Sequence, residues 1–395
     1  ECMNFNDDAE EIPVNAESRE LVCIGNKGSD LLKVQITTRK GCDKYEIRTE
    51  PKLVTLKKGE ACEFEVFIKP LCTCKMDDQL TIVTVNIKEG IEQQIPMNIR
   101  ITTEMSTRLD YDELIEDKRL GEGSFGIVYK GTFRGHTVAI KRMKQMGDGI
   151  DATGSVSSSS VDGEKRAMEE FTNEVRMLDK FRCEYIVHFY GAVFIPTKIC
   201  MVMEYAEYGS LNSLINKRPD SPIDKKMRLK ILQDASLGIE YLHSNGILHR
   251  DIKPDNILVI SMNPSEKVNG KLTDFGSSRN INMMMTNMTF TKGVGTPTYM
   301  APEILQKEKY KKSADIYALA VTMYETLKWG EAYPKATFKF SWKIAEFINQ
   351  GNRLFPTESM TQAEYELISN CWDQDPQKRP PIEQIVDRLE GLLHQ

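Results

Sequence analysis

Apolar residues fall at every second position in three early runs: Leu32, Val34 and Ile36; Cys62, Phe64, Val66 and Ile68; and Ile95, Met97, Ile99 and Ile101. A period of two turns one face of each run toward a core and the other toward water, so these runs read as strands. Turn-forming residues separate them at 25–28, 40–43, 57–59 and 88–90. From Ile223 onward the spacing becomes helical, ending in a helix at Ile382 to Leu393. A chain of 395 residues with this change of period holds more than one domain.

About seven short strands in roughly the first hundred residues, with no convincing helix, predict an antiparallel sandwich of immunoglobulin-like type over residues 1–106. Thr103 to Tyr111 is polar and without period, which suits a linker. A second break, residues 146–163, holds GSVSSSSVDG and cannot bury apolar surface, so it reads as a mobile, solvated insertion. Beyond it, Phe171, Val175 and Leu178 mark an amphipathic helix with Glu174 on a neighbouring face.

The net charge of −6 lies mostly in residues 1–106, with 14 Lys and Arg against 19 Asp and Glu. No basic face of the kind that duplex nucleic acid needs is present, which excludes nucleic acid as a partner. The nine cysteines include a CxC at Cys72 and Cys74, with no CxxC and no His-rich metal spacing. Reduced cytosolic thiols are the expectation. The single acceptable N-x-S/T site starts at Asn287 and reads as a chance match. No stretch of about 18 apolar residues and no signal-like start occur, so no membrane span and a cytoplasmic location are expected. A start at Glu1 reads as a piece of a longer polypeptide, leaving open a membrane tether upstream and a place on the cytosolic face of a membrane.

Four motifs carry chemistry. GEGSFGIVYKG spans Gly121 to Gly131, and VAIK places Lys141 ten residues later. HRDIKPDN supplies Asp251, Lys253 and Asn256, and DFG supplies Asp274. Gly121, Gly123 and Gly126 lack a Cβ, which lets backbone N–H groups approach phosphates closely. IVYKGTF and HTVAIK then alternate as strands, so a phosphate-covering hairpin is expected and not a dinucleotide-binding turn, which needs a helix there. In this order and spacing the motifs resemble the protein kinase superfamily over about residues 110–395.

The resemblance implies a bilobal α+β fold, with a small lobe at about 110–205 and a large lobe at about 206–395, using ATP and Mg²⁺. Lys141 would hold the α- and β-phosphates and pair with Glu174, 33 positions on, the serine-rich insertion accounting for the length. Met203 would guard the back of the adenine pocket, with the backbone of Glu204 and Ala206 bonding adenine and Val128, Ala139 and Leu258 sandwiching the ring. Asp251 would accept or orient the substrate hydroxyl proton, Lys253 would stabilise the moving phosphoryl group, and Asn256 and Asp274 would bind metal.

Lys253 and Thr296 of GTPTYMAPE point to serine/threonine specificity, while EYGSL and CWDQDPQKRP, with Cys371, Trp372, Asp375 and Arg379, resemble the tyrosine-kinase-like group. A tyrosine-kinase-like serine/threonine kinase acting on protein substrates in signalling carries both signals. A tyrosine or dual-specificity kinase and a pseudokinase scaffold remain as alternatives, although Lys141, Glu174, Asp251, Asn256 and Asp274 together favour an enzyme. Glu303 and Arg379 should form a buried pair, Asp315 should brace the catalytic loop, and Ala320 stands where Gly is usual. Thr286, Thr289 and Thr291 lie where activating phosphorylation often falls, with Arg250 as a receiver of the phosphate. A β-domain directly before such a domain resembles the cytosolic part of protozoan receptor-like kinases. Residues 1–106 read as a spacer or protein-binding module and 107–395 as the kinase domain, so a chain starting near Thr107 should keep its kcat.

Overall fold

The computed structural model describes residues 2–6, 11–38, 42–122, 126–143, 158–195, 197–276, 278–280 and 297–394. They gather into two compact units, Glu1–Ser155 with Phe189–Met203, and Val156–His188 with Glu204–Gln395.

The first unit begins with β1 (Cys2–Asn4), β2 (Ser18–Gly25), β3 (Leu32–Thr38), β4 (Tyr45–Glu50), β5 (Val54–Leu56), β6 (Ala61–Pro70), β7 (Lys75–Asn86) and β8 (Glu92–Thr102). They form a sheet in the order β1-β8-β7-β3-β5 and a second in the order β2-β6-β4. The alternating residues do what their period predicts: Val34, Ile36, Ile99 and Ile101 of one sheet and Phe64, Val66 and Ile68 of the other share a core. Gly59 and Gly90 turn the chain at φ +77° and +70°, in the left-handed region where a Cβ is unfavourable. Two details depart from the sequence reading. β1 runs parallel to β8, with Cys2 opposite Asn98, so the sheets are not wholly antiparallel. Ile95 is 47% exposed despite its parity with Met97, because a three-stranded sheet cannot cover the whole of a five-stranded one.

A further sheet completes this unit: β9 (Leu114–Glu122), β10 (Gly126–Phe133), β11 (His136–Met143), β12 (Phe189–Val193) and β13 (Cys200–Glu204), in the order β12-β13-β11-β10-β9. The β10–β11 turn has positive φ at both Arg134 (47°) and Gly135 (82°), the combination whose twist matches a two-residue hairpin.

Residues 103–112 correct the expectation of an unpatterned polar linker. On one side the Thr103 N–H donates to the Cys74 carbonyl at 3.0 Å and the Thr73 N–H to the Arg108 carbonyl at 2.8 Å. On the other, the Ala192 N–H donates to the Thr107 carbonyl at 2.7 Å and the Leu109 N–H to the Ala192 carbonyl at 2.9 Å. Leu109 is buried with Val138, Ile140 and Val202 in the core of the β9–β13 sheet. The Lys44 ammonium reaches Asp110 at 2.6 Å and Asp112 at 2.7 Å, and Lys198 reaches Asp43 at 3.4 Å. Gly191 marks the closest approach, since a Cβ there would run into the Thr107 carbonyl and the Leu109 side chain. The segment is joined through its backbone to both neighbours, and backbone pairing leaves no periodic trace when few side chains are buried.

The second unit contains α1 (Ser158–Leu178), α2 (Leu211–Lys217), α3 (Lys225–Ser244), β14 (Ile247–Leu248), β15 (Ile257–Val259), β16 (Gly270–Leu272), β17 (Arg279–Asn280), α4 (Pro302–Leu305), α5 (Lys312–Lys328), α6 (Ser341–Asn349), α7 (Gln362–Cys371) and α8 (Ile382–Leu393). α1 buries Phe171, Val175 and Leu178 as their spacing predicts, and Glu174 is buried with them. It also takes in Ser158 to Gly163, so the expected insertion is shorter by those residues. The run EKRAMEE that follows is rich in helix formers, which propagate a helix once it has begun. α5 is buried from Ala314 to Leu327 on every side, as an internal pillar helix must be. No helix among the described residues is long and apolar enough to cross a membrane.

Candidate active site

Between β14 and β15 the chain runs through an irregular loop whose side chains bond one another. Lys253 Nζ donates to Asp251 Oδ2 at 2.7 Å, and Asn256 Nδ2 donates to the same oxygen at 2.9 Å and to the Asp251 carbonyl at 2.8 Å. Both side-chain bonds fall on Oδ2. The Thr273 N–H donates to the Asn256 carbonyl at 3.0 Å, tying the approach to Asp274 to the same loop.

This loop and the DFG turn after β16 hold strained backbone. Arg250 and Asp274 have φ of 70° and 62°, a region that costs a residue with a Cβ roughly 1–2 kcal/mol. Strain persists only where surrounding contacts fix it. Asp315, fully buried at the start of α5, accepts from the backbone N–H groups of His249 at 3.0 Å and Arg250 at 2.9 Å. It also meets Tyr310 OH and His243 Nε2, each at 2.9 Å. Burial alone would raise its pKa, but the His243 hydrogen bond and the other partners outweigh it and hold the carboxyl below its ordinary value. Asp315 therefore braces the loop as a carboxylate, as its place in SADIYALA predicts.

His249 is a functional neighbour to which the sequence reading gave no role, although it opens the HRD motif. Its Nδ1 accepts from the Asp251 N–H at 3.3 Å, so Nε2 carries the proton and donates to the Thr273 carbonyl at 3.1 Å. Burial pushes its pKa down against the pull of Asp315, Asp251 and Asp274, which keeps that neutral tautomer. One imidazole thus links the residue before Asp274 to the backbone of Asp251.

The expected Glu303–Arg379 pair is present and buried, with parallel bonds of 2.7 and 2.8 Å, and Arg379 also donates to the carbonyls of Asp373 and Ser313. Trp372 is fully buried, and the neighbouring Cys371 thiol is pushed up to about 12 by burial. Ala320 is fully buried in α5.

In the first unit, Gly121 is the last residue but one of β9 and Gly126 opens β10, where a Cβ would collide with the Arg142 carbonyl. Val128 lies opposite Lys141 across β10 and β11, Ala139 is opposite Lys130, and Met203 is buried on β13. In the second unit, the Glu204 N–H donates to the His188 carbonyl at 2.9 Å and its carboxylate is gripped by Lys271 at 2.7 and 2.9 Å. The Ala206 carbonyl accepts from Gly209, and Leu258 lies on β15 opposite Lys271. Gly123, Thr286, Thr289, Thr291 and Thr296 lie outside the described residues.

The oxygen donors suit a hard divalent cation: Asn256 commits its amide N–H groups to Asp251, leaving its oxygen as a ligand, and Asp274 supplies a carboxylate.

The protein kinase domain family matches residues 114–389. The chain is 30% identical over 377 residues to the probable serine/threonine-protein kinase gdt9 of Dictyostelium discoideum, covering 88% of this chain and 22% of that one. It is 34% identical over 289 residues to the putative serine/threonine-protein kinase/receptor R831 of Acanthamoeba polyphaga mimivirus, covering 73% of this chain and 16% of the other. To the probable serine/threonine-protein kinase SIS8 of Arabidopsis thaliana it is 34% identical over 291 residues, covering 71% and 25%. The chain thus spans a quarter or less of the length of these relatives. With the family pattern running from the start of β9 into α8 and the motif residues on these elements, the chain belongs to the protein kinase family.

Proposed function

We propose that the chain is an ATP-dependent serine/threonine protein kinase of the tyrosine-kinase-like group. The observation that carries this reading is the Asp251 carboxylate held through one oxygen by Lys253 and Asn256. A carboxylate fixed in this way can take the proton of an incoming hydroxyl at its other oxygen, a contribution of about 10²–10⁴-fold. Lys253, already beside that carboxylate, neutralises charge gathering on the phosphoryl group as the hydroxyl attacks. Lys141, with Glu174 as its partner, holds the α- and β-phosphates, and the N–H groups around Gly121, Gly123 and Gly126 hold the remainder. Met203, Glu204, Ala206, Val128, Ala139 and Leu258 receive adenine. Asn256 and Asp274 would hold Mg²⁺, which supplies neutralisation of phosphate charge when bound.

The names of the relatives support serine/threonine specificity, as do Lys253 and Thr296. We read residues 1–106 as an immunoglobulin-like spacer or protein-binding module, residues 107–395 as the kinase domain, and the location as cytoplasmic, including the cytosolic face of a membrane. Phosphorylation of Thr286, Thr289 or Thr291 would activate through Arg250. Phosphoamino-acid analysis after incubation with Mg²⁺ and labelled ATP tests activity and residue choice together. Phosphoserine and phosphothreonine are expected; phosphotyrosine alone overturns the specificity, and no incorporation overturns the enzyme.

A further inference from the structure

Lys271, the middle residue of β16, has no part in the chemistry proposed above, yet its side chain ends on Glu204. The strand beneath it is firmly seated. The Leu272 N–H donates to the Tyr185 carbonyl and the Leu272 carbonyl accepts from the Val187 N–H, each at 2.9 Å. Asp234, buried on α3, accepts from the N–H groups of Asn269 at 2.7 Å and Gly270 at 3.0 Å. Leu258 of β15 lies opposite Lys271 along the other edge. From this base the Lys271 ammonium reaches both oxygens of the Glu204 carboxylate, in a pair whose side chains are only 15% and 22% exposed.

The same carboxylate alters the backbone pairing beside it. The register that sets Phe189 opposite Met203 brings His188 opposite Glu204. Residues facing each other in a hydrogen-bonded antiparallel pair exchange both N–H and carbonyl bonds. Here only half of that exchange is made through the backbone: the Glu204 N–H donates to the His188 carbonyl at 2.9 Å, but the His188 N–H donates to Glu204 Oε2 at 3.1 Å. The carboxylate thus stands in for its own residue's carbonyl, and Lys271 holds it there at 2.7 Å on that oxygen and 2.9 Å on the other. The carbonyl is released from the ladder, and a carbonyl so released is an acceptor in want of a donor. Farther along, the Tyr208 N–H donates to the Val259 carbonyl at 3.3 Å and the Val259 N–H to the Gly209 carbonyl at 2.8 Å. Residues 204–209 are therefore tied at both ends to the β15–β16 pair, at one end through Lys271 alone.

We propose that Lys271 is a positioning residue for adenine: it keeps the Glu204 carboxylate on the His188 N–H, so that the Glu204 carbonyl accepts from the 6-amino group of the base. This rests on the reading of Glu204 and Ala206 as the backbone that receives adenine. Lys271 touches no atom of the nucleotide and acts through Glu204. Without its ammonium the partly exposed carboxylate turns to water, where it is better solvated. The His188 N–H then takes the Glu204 carbonyl, as an ordinary antiparallel pair requires. The carbonyl is drawn away from the base, and what the chain loses is its preference for a purine that carries an amine at position 6.

The test uses the full chain and binding alone: calorimetric titration with MgATP and with the magnesium complex of purine riboside triphosphate, which lacks only the 6-amino group. The wild-type chain should hold ATP about tenfold more tightly than the analogue, the worth of one hydrogen bond. In Lys271→Met the ratio should fall to about twofold, because ATP weakens while the analogue changes little. Lys271→Arg, whose fork can grip both carboxylate oxygens, should keep a ratio of about tenfold. Glu204→Ala removes the carboxylate and should repeat the loss, which keeps the proposal open to test if Lys271→Met does not fold. A loss equal for both nucleotides would make the pair a general support and overturn its role toward the amine, as would a ratio unchanged in Lys271→Met. A wild-type chain that binds neither nucleotide would overturn the adenine-binding reading itself, whereas one that binds both equally would overturn this proposal alone.

Discussion

The loop of the HRD motif, residues 249–256, and the joint, residues 103–112, are both short irregular stretches fixed by hydrogen bonds, but they are fixed in different ways. In the HRD loop side chains bond side chains, with Lys253 and Asn256 on Asp251 and with Asp315 clamping two backbone N–H groups. In the joint backbone N–H and C=O groups bond toward Cys74 and Thr73 on one side and Ala192 on the other, and the hydroxyls of Thr73, Thr103 and Ser106 add bonds to them on the first side. Phosphoryl transfer requires particular functional groups at fixed positions, whereas joining two sheets requires only N–H and C=O groups that any residue but proline supplies. The first region should therefore be intolerant of single substitutions that the second accepts.

The largest effect is expected at Asp251 and Asp274. Asp251→Asn and Asp274→Asn should each slow phosphate transfer by at least ~10²-fold. Calorimetric titration with ATP and Mg²⁺ should separate them, with binding retained in Asp251→Asn and lost in Asp274→Asn. Wild-type turnover in both variants would remove the distinction drawn between the two regions.

Asp315→Asn removes the brace without touching Asp251. An amide N–H in place of one oxygen faces donors on every side, and breaking so buried a set should cost about 3 kcal/mol at neutral pH. The pKa of this carboxyl is lowered in the folded chain from 3.8 when unfolded. Its stabilisation is thus complete above 3.8 and is lost as pH falls through the lower folded value. Urea titrations of wild type and Asp315→Asn should differ most near pH 7 and converge below pH ~3.8. A gap independent of pH would mean that the carboxylate charge is not what braces the loop.

The same contrast explains what the sequence disclosed. Asp251, Lys253, Asn256, Asp274, Asp315 and the Glu303–Arg379 pair were legible because chemistry or burial of charge demands those residue types in motif order. The two N-terminal sheets are legible through Val34, Ile36, Phe64 and Ile99, whose period of two records a buried face. His249 lay within a recognised motif, but its part is played by a tautomer set by partners at Thr273 and Asp251, which no spacing encodes. The joint was read as linker because Thr103, Ser106 and Thr107 are polar, and polarity says nothing about where a backbone N–H is bonded. β1 alongside β8 was missed for a related reason, since three residues are too few to show a period.

Removing residues 1–106 tests the joint as a whole. Sequence reading expects a chain starting near Thr107 to keep its kcat. The backbone bonds to Thr73 and Cys74 and the buried Leu109 lead us to expect the opposite: a fall of about tenfold, roughly 1.4 kcal/mol in the barrier, with a lower Tm. Unchanged turnover and Tm would restore the linker and reduce the joint to a contact without consequence for the kinase.

The smallest effect is expected at Lys44. Its ammonium sits between Asp110, which is nearly buried, and Asp112, which is exposed, and both carboxylates raise its pKa against the cost of burial. Replacing it with methionine keeps the stem and leaves Asp110 without its cation, so Lys44→Met should cost about 1–2 kcal/mol in urea unfolding. Asn at position 110 would still cap the turn that follows, because one side-chain oxygen remains for the Asp112 N–H, now 3.0 Å away. Lys44→Met combined with Asp110→Asn should therefore recover most of the loss, since neither partner is then a charge left alone. An additive double variant would show that the ammonium acts through Asp112 or through packing of its stem. Recovery would show that a charge pair in the joint can be replaced by neutral groups, a substitution that the bonds on Asp251 do not permit.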